Sequence, residues 1–231
     1  MKRMIILYCA TALASASAEE WQSIFDGKTL KGWKGNPELW SVRDGAITGT
    51  TTAGKPLKFN TFLVWQDGEL ENFELKLKYR IERGNSGIQY RSELKDPEKF
   101  IVGGYQADFE AGKKYSGILY EEKGRGILAL RGKQVEITAE GKKKAVGDVG
   151  DSDAIQAEIK HEDWNDYHIL AKGNQLEHRI NGLVTMKLTD NQEAKRAMKG
   201  ILALQIHVGK PMVVQFKDLQ LKVLPGKADG S

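Results

Sequence analysis

The chain has 231 residues, 40% of them hydrophobic, with 35 basic against 31 acidic side chains, which suits one globular core of ordinary size. Lys2 and Arg3 supply two of the basic residues, so the chain beyond them carries 33 against 31. That balance excludes a nucleic-acid footprint, and the single cysteine, Cys9, excludes a disulfide framework.

Residues 1–18 read as a signal peptide. Lys2 and Arg3 precede an apolar run from Met4 to Leu13, and Ala16-Ser17-Ala18 supplies a cleavage site. The run is too short to span a bilayer as a helix. The expected product is an exported protein, periplasmic or extracellular, with no membrane span after cleavage. Cys9 lies within this segment, so the mature chain must rely on its apolar core.

Residues 19–224 read as a single domain, followed by a polar tail over 225–231. Asp26-Gly27 and Asp44-Gly45 are turn signals between short apolar runs. Trp21, Trp33 and Trp40 could stack on a sugar, but the area an indole buries favours the core. Residues 72–80 alternate strictly, Phe73, Leu75, Leu77 and Tyr79 against Glu74, Lys76, Lys78 and Arg80, which predicts a strand with one wet face. In the next strand Gln89, Arg91 and Glu93 share a face.

Residues 103–126 are unusual because they place polar side chains where a β-protein builds core. Tyr105, Ala107 and Phe109 fall on one face, and Gln106, Asp108 and Glu110 on the other. A second strand runs from Gly117 to Glu122, and one or two more from Ile127 to Ile137. Residues 138–153 are polar and glycine-bearing and predict a long loop or flap. Hairpin strands follow at 167–172, 175–180 and 183–188, the last two joined by Asn181-Gly182. Residues 190–199 predict the one short helix, with Asp190 as cap and Gly200 as terminator. Strands at 201–208 and 212–224 complete an all-β fold, an antiparallel β-sandwich or jelly roll.

His207 ends a strand on which it shares a face with Gln205, a placement that suits a base in a cleft. His161, His168 and His178 lack metal-pair spacing, so no metal site is expected. No nucleophile elbow, phosphate loop or dinucleotide fingerprint is present. Glu110 shares a face with Asp108, but Gln106 stands where an alternating glucanase motif needs a third carboxylate, which argues against a two-carboxylate glycosidase.

In order along the chain stand Phe25-Asp26-Gly27-Lys28-Thr29-Leu30 with Gly32-Trp33, and Trp40 before Asp44-Gly45. Then come Asn85-Ser86-Gly87-Ile88 with Arg91, Gly104-Tyr105-Gln106, Trp164-Asn165, Asn181-Gly182, and Leu204-Gln205 with His207. Together they resemble the 3-keto-disaccharide hydrolase domain family over Trp21 to Leu224. The resemblance implies a concanavalin A-like sandwich with a concave sheet, in exported bacterial proteins that degrade glycans. Many family members carry Glu after Gly-Tyr and Gln two residues later, where this chain has Gln106 and Asp108.

The chemistry implied is cleavage of a 3-keto-glycoside. A ketone at C3 acidifies the C2 hydrogen, so a base can remove it, the C1 glycosidic oxygen leaves, and water adds. The expected roles are His207 as base, Asp108 or Glu121 as acid, and Arg91 with Gln205 as oxyanion and hydroxyl ligands. Asn85, Gln89, Tyr105, Gln106 and Tyr120 complete the sugar contacts. No cofactor is expected, with a divalent cation as the alternative enolate stabiliser. The competing readings are a non-catalytic carbohydrate-binding module, stacking sugars on Tyr105, Tyr120 and a tryptophan, and a structural domain of a surface assembly.

Overall fold

A computed structural model describes residues 20–226; the signal-peptide expectation and the last five residues of the tail lie outside them. In chain order the first strands are β1 (Gln22–Ser23), β2 (Trp33–Lys34), β3 (Trp40–Arg43), β4 (Ala46–Thr50), β5 (Thr61–Trp65) and β6 (Phe73–Ile81). The middle of the chain forms β7 (Asn85–Asp96), β8 (Ile101–Glu110), β9 (Leu119–Glu122), β10 (Gly126–Ala129), β11 (Lys133–Ile137) and β12 (Lys143–Asp148). After α1 (Ser152–Ala157) come β13 (Asn165–Lys172), β14 (Gln175–Ile180), β15 (Leu183–Asp190), β16 (Ile201–Ile206) and β17 (Val213–Val223).

Two sheets stack as a sandwich. The first runs β12-β11-β15-β14-β13-β6-β17-β4-β3, with β1 added on β17, and the second runs β10-β9-β8-β7-β16-β5-β2. All pairs in the second sheet are antiparallel, while β11 and β15 in the first are parallel. Alternation builds the long strands: β6 buries Phe73, Leu75, Leu77, Tyr79 and Ile81 and turns its charged residues outward. Each large apolar side chain so buried contributes roughly 1.5–3 kcal/mol. From the second sheet, Ile88, Tyr90, Tyr105, Ala107, Phe109, Leu202, Leu204 and Ile206 meet them in one core cluster. The Asp44-Gly45 and Asn181-Gly182 turns have positive φ at both positions (50° and 73°, 49° and 85°), the backbone that two-residue hairpins need.

Two expectations are corrected. Residues 190–199 form no helix: Asp190 ends β15, and its carboxylate binds Arg125 and the Tyr105 hydroxyl as well as the Gln192 N–H. Only a turn around Gln192 follows, since the Asp190 carboxylate that would cap a helix is taken up by Arg125 and Tyr105. The helix is α1, capped by Asp151, whose side chain accepts from the backbone of Asp153 and Ala154. Within the segment expected as a loop, β12 pairs with β11 along the sheet edge. Its six residues are all exposed, so backbone pairing and polar contacts, Asp148 with Lys133 and Lys143 with the carbonyls of Arg125 and Ile127, hold it, and no hydrophobic alternation announces it.

Candidate active site

The outward face of the second sheet is built by alternation from residues between the core-facing ones. Gln106 pairs with Gln89 on β7 and Tyr120 on β9, and Asp108 pairs with Gly87. On the other flank of β7, Ile88 pairs with Leu204, which sets Gln205 beside Gly87. A pocket of about 390 Å³ opens here, lined by Asn60, Asn85, Gln106, Asp108, Tyr120, Glu122 and His207, with Tyr115 and Ile127 as apolar walls. Its size suits a sugar unit. A cleft of about 780 Å³ around Glu93, Lys95, Lys123, Lys195 and Lys199 shares only Glu122 with it; those five side chains are exposed, and it contains neither Asp108 nor His207.

Asp108 is 5% exposed, and among the described residues no cation shifts its ionisation: its neighbours are amides and the acids Glu110 and Glu122. Its Oδ2 accepts from Asn85 Nδ2 at 3.1 Å, and its Oδ1 lies 2.6 Å from the Gln106 amide. Burial pushes its pKa up to about 7, against the lowering effect of Gln106, when its amino group faces Oδ1, and of Asn85; the nearby charges of Glu110 and Glu122 raise it further. The carboxyl is therefore poised to be a neutral acid near neutral pH. The Gln106 amide in turn meets the Gln89 amide at 2.7 Å and the Gln205 amide at 2.9 Å. This crossing depends on Gly87: a Cβ there would lie 2.5 Å from Gln106 Cγ and 2.6 Å from its Cδ.

His207 follows β16 at the pocket wall. Its Nδ1 contacts the carbonyl of Val208, and a carbonyl only accepts, so Nδ1 carries a hydrogen and, in the neutral ring, Nε2 is the nitrogen with the lone pair. The Val208 N–H is held by Asn60 Oδ1 at 2.9 Å, and Asn60 Nδ2 reaches Glu122 Oε1 at 3.3 Å. The Tyr120 hydroxyl has no hydrogen-bond partner among the described residues. Its pKa is raised by burial, then by the charges of Glu122 and Asp108, so it stays protonated and can donate.

The structure thus brings His207, Asp108, Asn85, Gln89, Gln106, Tyr120 and Gln205 to one face, and turns three other expected site residues away. Arg91 sits in the bulge between Tyr90 and Glu93 with φ 45°, and its side chain enters the protein at 2% exposure. There its guanidinium donates to the carbonyls of Glu71 (2.7 Å) and Gly173 (2.6 Å), the groups that burial obliges it to satisfy. Tyr105 lies in the core, its hydroxyl donating to Asp190 Oδ2 at 2.6 Å, so it is no stacking platform. Glu121 is clasped by Arg125 at 2.8 Å, and Arg125 also binds Asp190 at 2.7 Å.

The site also contains residues that the sequence reading passed over. Alternation that puts Tyr120 outside puts Glu122 there too and Glu121 within, so Glu122 was available from the pattern. Asn60 and Tyr115 lie in connections with no period to place them, and no sequence signal singles them out. Among the described residues no cluster of three or more His, Cys, Asp or Glu side chains could hold a metal ion, and no helix is long and apolar enough to cross a membrane.

The 3-keto-alpha-glucoside-1,2-lyase-like domain family matches residues 20–222. A 3-keto-disaccharide hydrolase of Bacteroides thetaiotaomicron is 32% identical over 91 residues, 33% of this chain and 29% of the relative, so the match spans less than a third of that protein. A candidate glycosyl hydrolase of Parabacteroides distasonis superimposes with a TM-score of 0.58 at 21% identity, over 90% of this chain and 95% of the other. The carbohydrate-binding module CBM66 of Bacillus subtilis gives 0.54 at 12% identity, over 83% and 95%. At these identities both structures speak for the fold.

Proposed function

This chain belongs to the 3-keto-alpha-glucoside-1,2-lyase-like family, and on that premise we propose that it cleaves 3-keto-glycosides outside the cytoplasm by elimination across C1–C2 followed by hydration. One observation carries the reading: a buried carboxyl and a histidine line the same pocket, the first without a cation and the second without a partner on Nε2 among the described residues. His207 takes the C2 proton that the C3 ketone has acidified. The charge moves onto the ketone oxygen as an enolate, which the unpartnered Tyr120 hydroxyl stabilises by donating to it. Asp108 gives its proton to the glycosidic oxygen as the C1–O bond breaks, and becomes a carboxylate. Water then adds at C1 while C2 regains a proton, which completes a net hydrolysis. Tyr115 and Ile127 supply apolar contact for the ring.

The family's description and the Bacteroides relative support this substrate class. The alternative, a binding module on the same face, predicts saturable affinity for an unmodified glycan and no product. Mass spectrometry of mature protein incubated with a panel of 3-keto-glycosides and their unoxidised parents separates the two. Release of the aglycone from the keto forms alone supports the enzyme; no turnover across the panel overturns it.

A further inference from the structure

We propose that Gln89 and Gln106 form a reversible amide relay that holds the proton of Asp108 and then stabilises the carboxylate left behind, so that both glutamines are positioning residues. The proposal rests on reading Asp108 as the acid of the site.

The chain of amides runs from backbone carbonyls at its inner end to Asp108 at its outer end. On its inner side the Gln89 amide faces Ser92 Oγ at 2.6 Å, the Tyr105 carbonyl at 3.1 Å and the Gly104 carbonyl at 3.3 Å. Carbonyl oxygens only accept, so this end calls for the Gln89 amino group; Ser92 can receive one hydrogen and pass its own to the Tyr90 carbonyl at 3.0 Å. Gln89 then presents its oxygen to Gln106 across 2.7 Å, which requires the Gln106 amino group there. The Gln106 oxygen therefore points at Asp108 Oδ1 across 2.6 Å, and two oxygens at that distance need a hydrogen between them. Asp108 is the only group of that pair able to supply it. Gln205 does not oppose the arrangement, because both of its side-chain hydrogen bonds go to Gln106 and it can turn with it. Asn85 donates to Oδ2 in either state and so leaves Oδ1 to carry the proton.

Once the proton has gone to the leaving group, the opposite polarity becomes the better one. Gln106 turns its amino group to Oδ1, Gln89 donates to Gln106, and Gln89 accepts from Ser92 Oγ at 2.6 Å. Each charge state of Asp108 thus has a matching direction of the relay; in the second, the Gln89 oxygen faces the Tyr105 and Gly104 carbonyls at 3.1 and 3.3 Å, a repulsion that the bond from Gln106 to the charged carboxylate outweighs and that returns the relay once Asp108 is reprotonated. Glutamine is the side chain that allows this, since one rotation exchanges its donor and acceptor; burial of Gln89, Gln106 and Gln205 at 0–2% exposure keeps water from substituting.

The test is a titration of Asp108 by NMR in full-length protein carrying ¹³C-labelled aspartate, with and without Gln89→Met. Methionine fills the space but neither holds Gln106 nor faces the carbonyls, so Gln106 is released to donate to Asp108. The expected result is a fall in the Asp108 pKa of at least about one unit, a tenfold change in its ionisation constant. An unchanged titration would overturn the relay. Should Gln89→Met fail to fold, neutron diffraction from unaltered protein at about pH 5 decides the same point. A deuteron on Asp108 with the Gln89 amino group toward Tyr105 supports the relay, and an amino group of Gln106 on a bare carboxylate sinks it. Neither readout uses turnover, so a relay confirmed in a protein inactive on 3-keto-glycosides would condemn the substrate assignment and not the relay.

Discussion

Two buried carboxylate sites in this molecule are solved in opposite ways. Around Arg125, the acids Glu121 and Asp190 are fully ion-paired, and Tyr105 closes the remaining valence. Around Asp108, equally buried, only amides are offered. The first arrangement ties the β9–β10 turn to the end of β15. The second leaves a carboxyl whose ionisation is costly, which a purely structural site would avoid and a proton donor needs.

The comparison is broken most severely by Arg125→Met. It leaves two carboxylates buried without a cation, and urea denaturation should show a loss of about 3–5 kcal/mol. Asp108→Asn, at the other site, should leave stability equal or higher while turnover of a 3-keto-glycoside falls by about 10²–10⁴-fold. His207→Ala should lose activity to a similar extent with stability within about 0.5 kcal/mol of the parent. If Asp108→Asn destabilised the fold as Arg125→Met does, the two sites would be alike and the functional reading of Asp108 would fail.

The pH dependence sharpens the same contrast. Asp108 has a folded pKa of about 7, above the ordinary carboxylate value near 3.9 in the unfolded chain. Its contribution to stability is therefore complete below about pH 4 and is lost as pH rises through about 7. Denaturation at a series of pH values should show this decline, and Asp108→Asn should remove it. Activity should fall over the same upper range as the acid loses its proton. The smallest effect expected is from exhaustive chelation, which should leave turnover unchanged because the proposed mechanism gives the enolate to Tyr120; loss of activity restored by a divalent cation would transfer that role to a metal.

Much of the fold was legible because alternation and turn chemistry are local. Phe73 to Ile81 declare their faces residue by residue, and Asp44-Gly45 and Asn181-Gly182 declare their hairpins. The same period set Gln106 and Asp108 on the face opposite Tyr105, and so already spoke against the sugar contact that the resemblance gave Tyr105. Arg91 was illegible because one left-handed residue in a bulge reverses the face that counting assigns. Asp190 misled because a cap-like carboxylate followed by polar residues looks the same whether its partner is a helix N-terminus or an arginine 65 residues away in sequence. Gly87 shows a subtler limit: the sequence marks it as a glycine, and only the crossing of Gln106 shows what its missing side chain permits.

On the proposed mechanism the outer face of the second sheet removes a proton from C2 before the glycosidic bond is hydrolysed. The most direct measurement is cleavage of a 3-keto-glycoside in D₂O, with the released keto sugar examined at early times by mass spectrometry and proton NMR. Elimination followed by hydration predicts one deuterium at C2 of the product with the unaltered protein, and neither cleavage nor label with His207→Ala. Product released with its original C2 hydrogen intact would contradict the account.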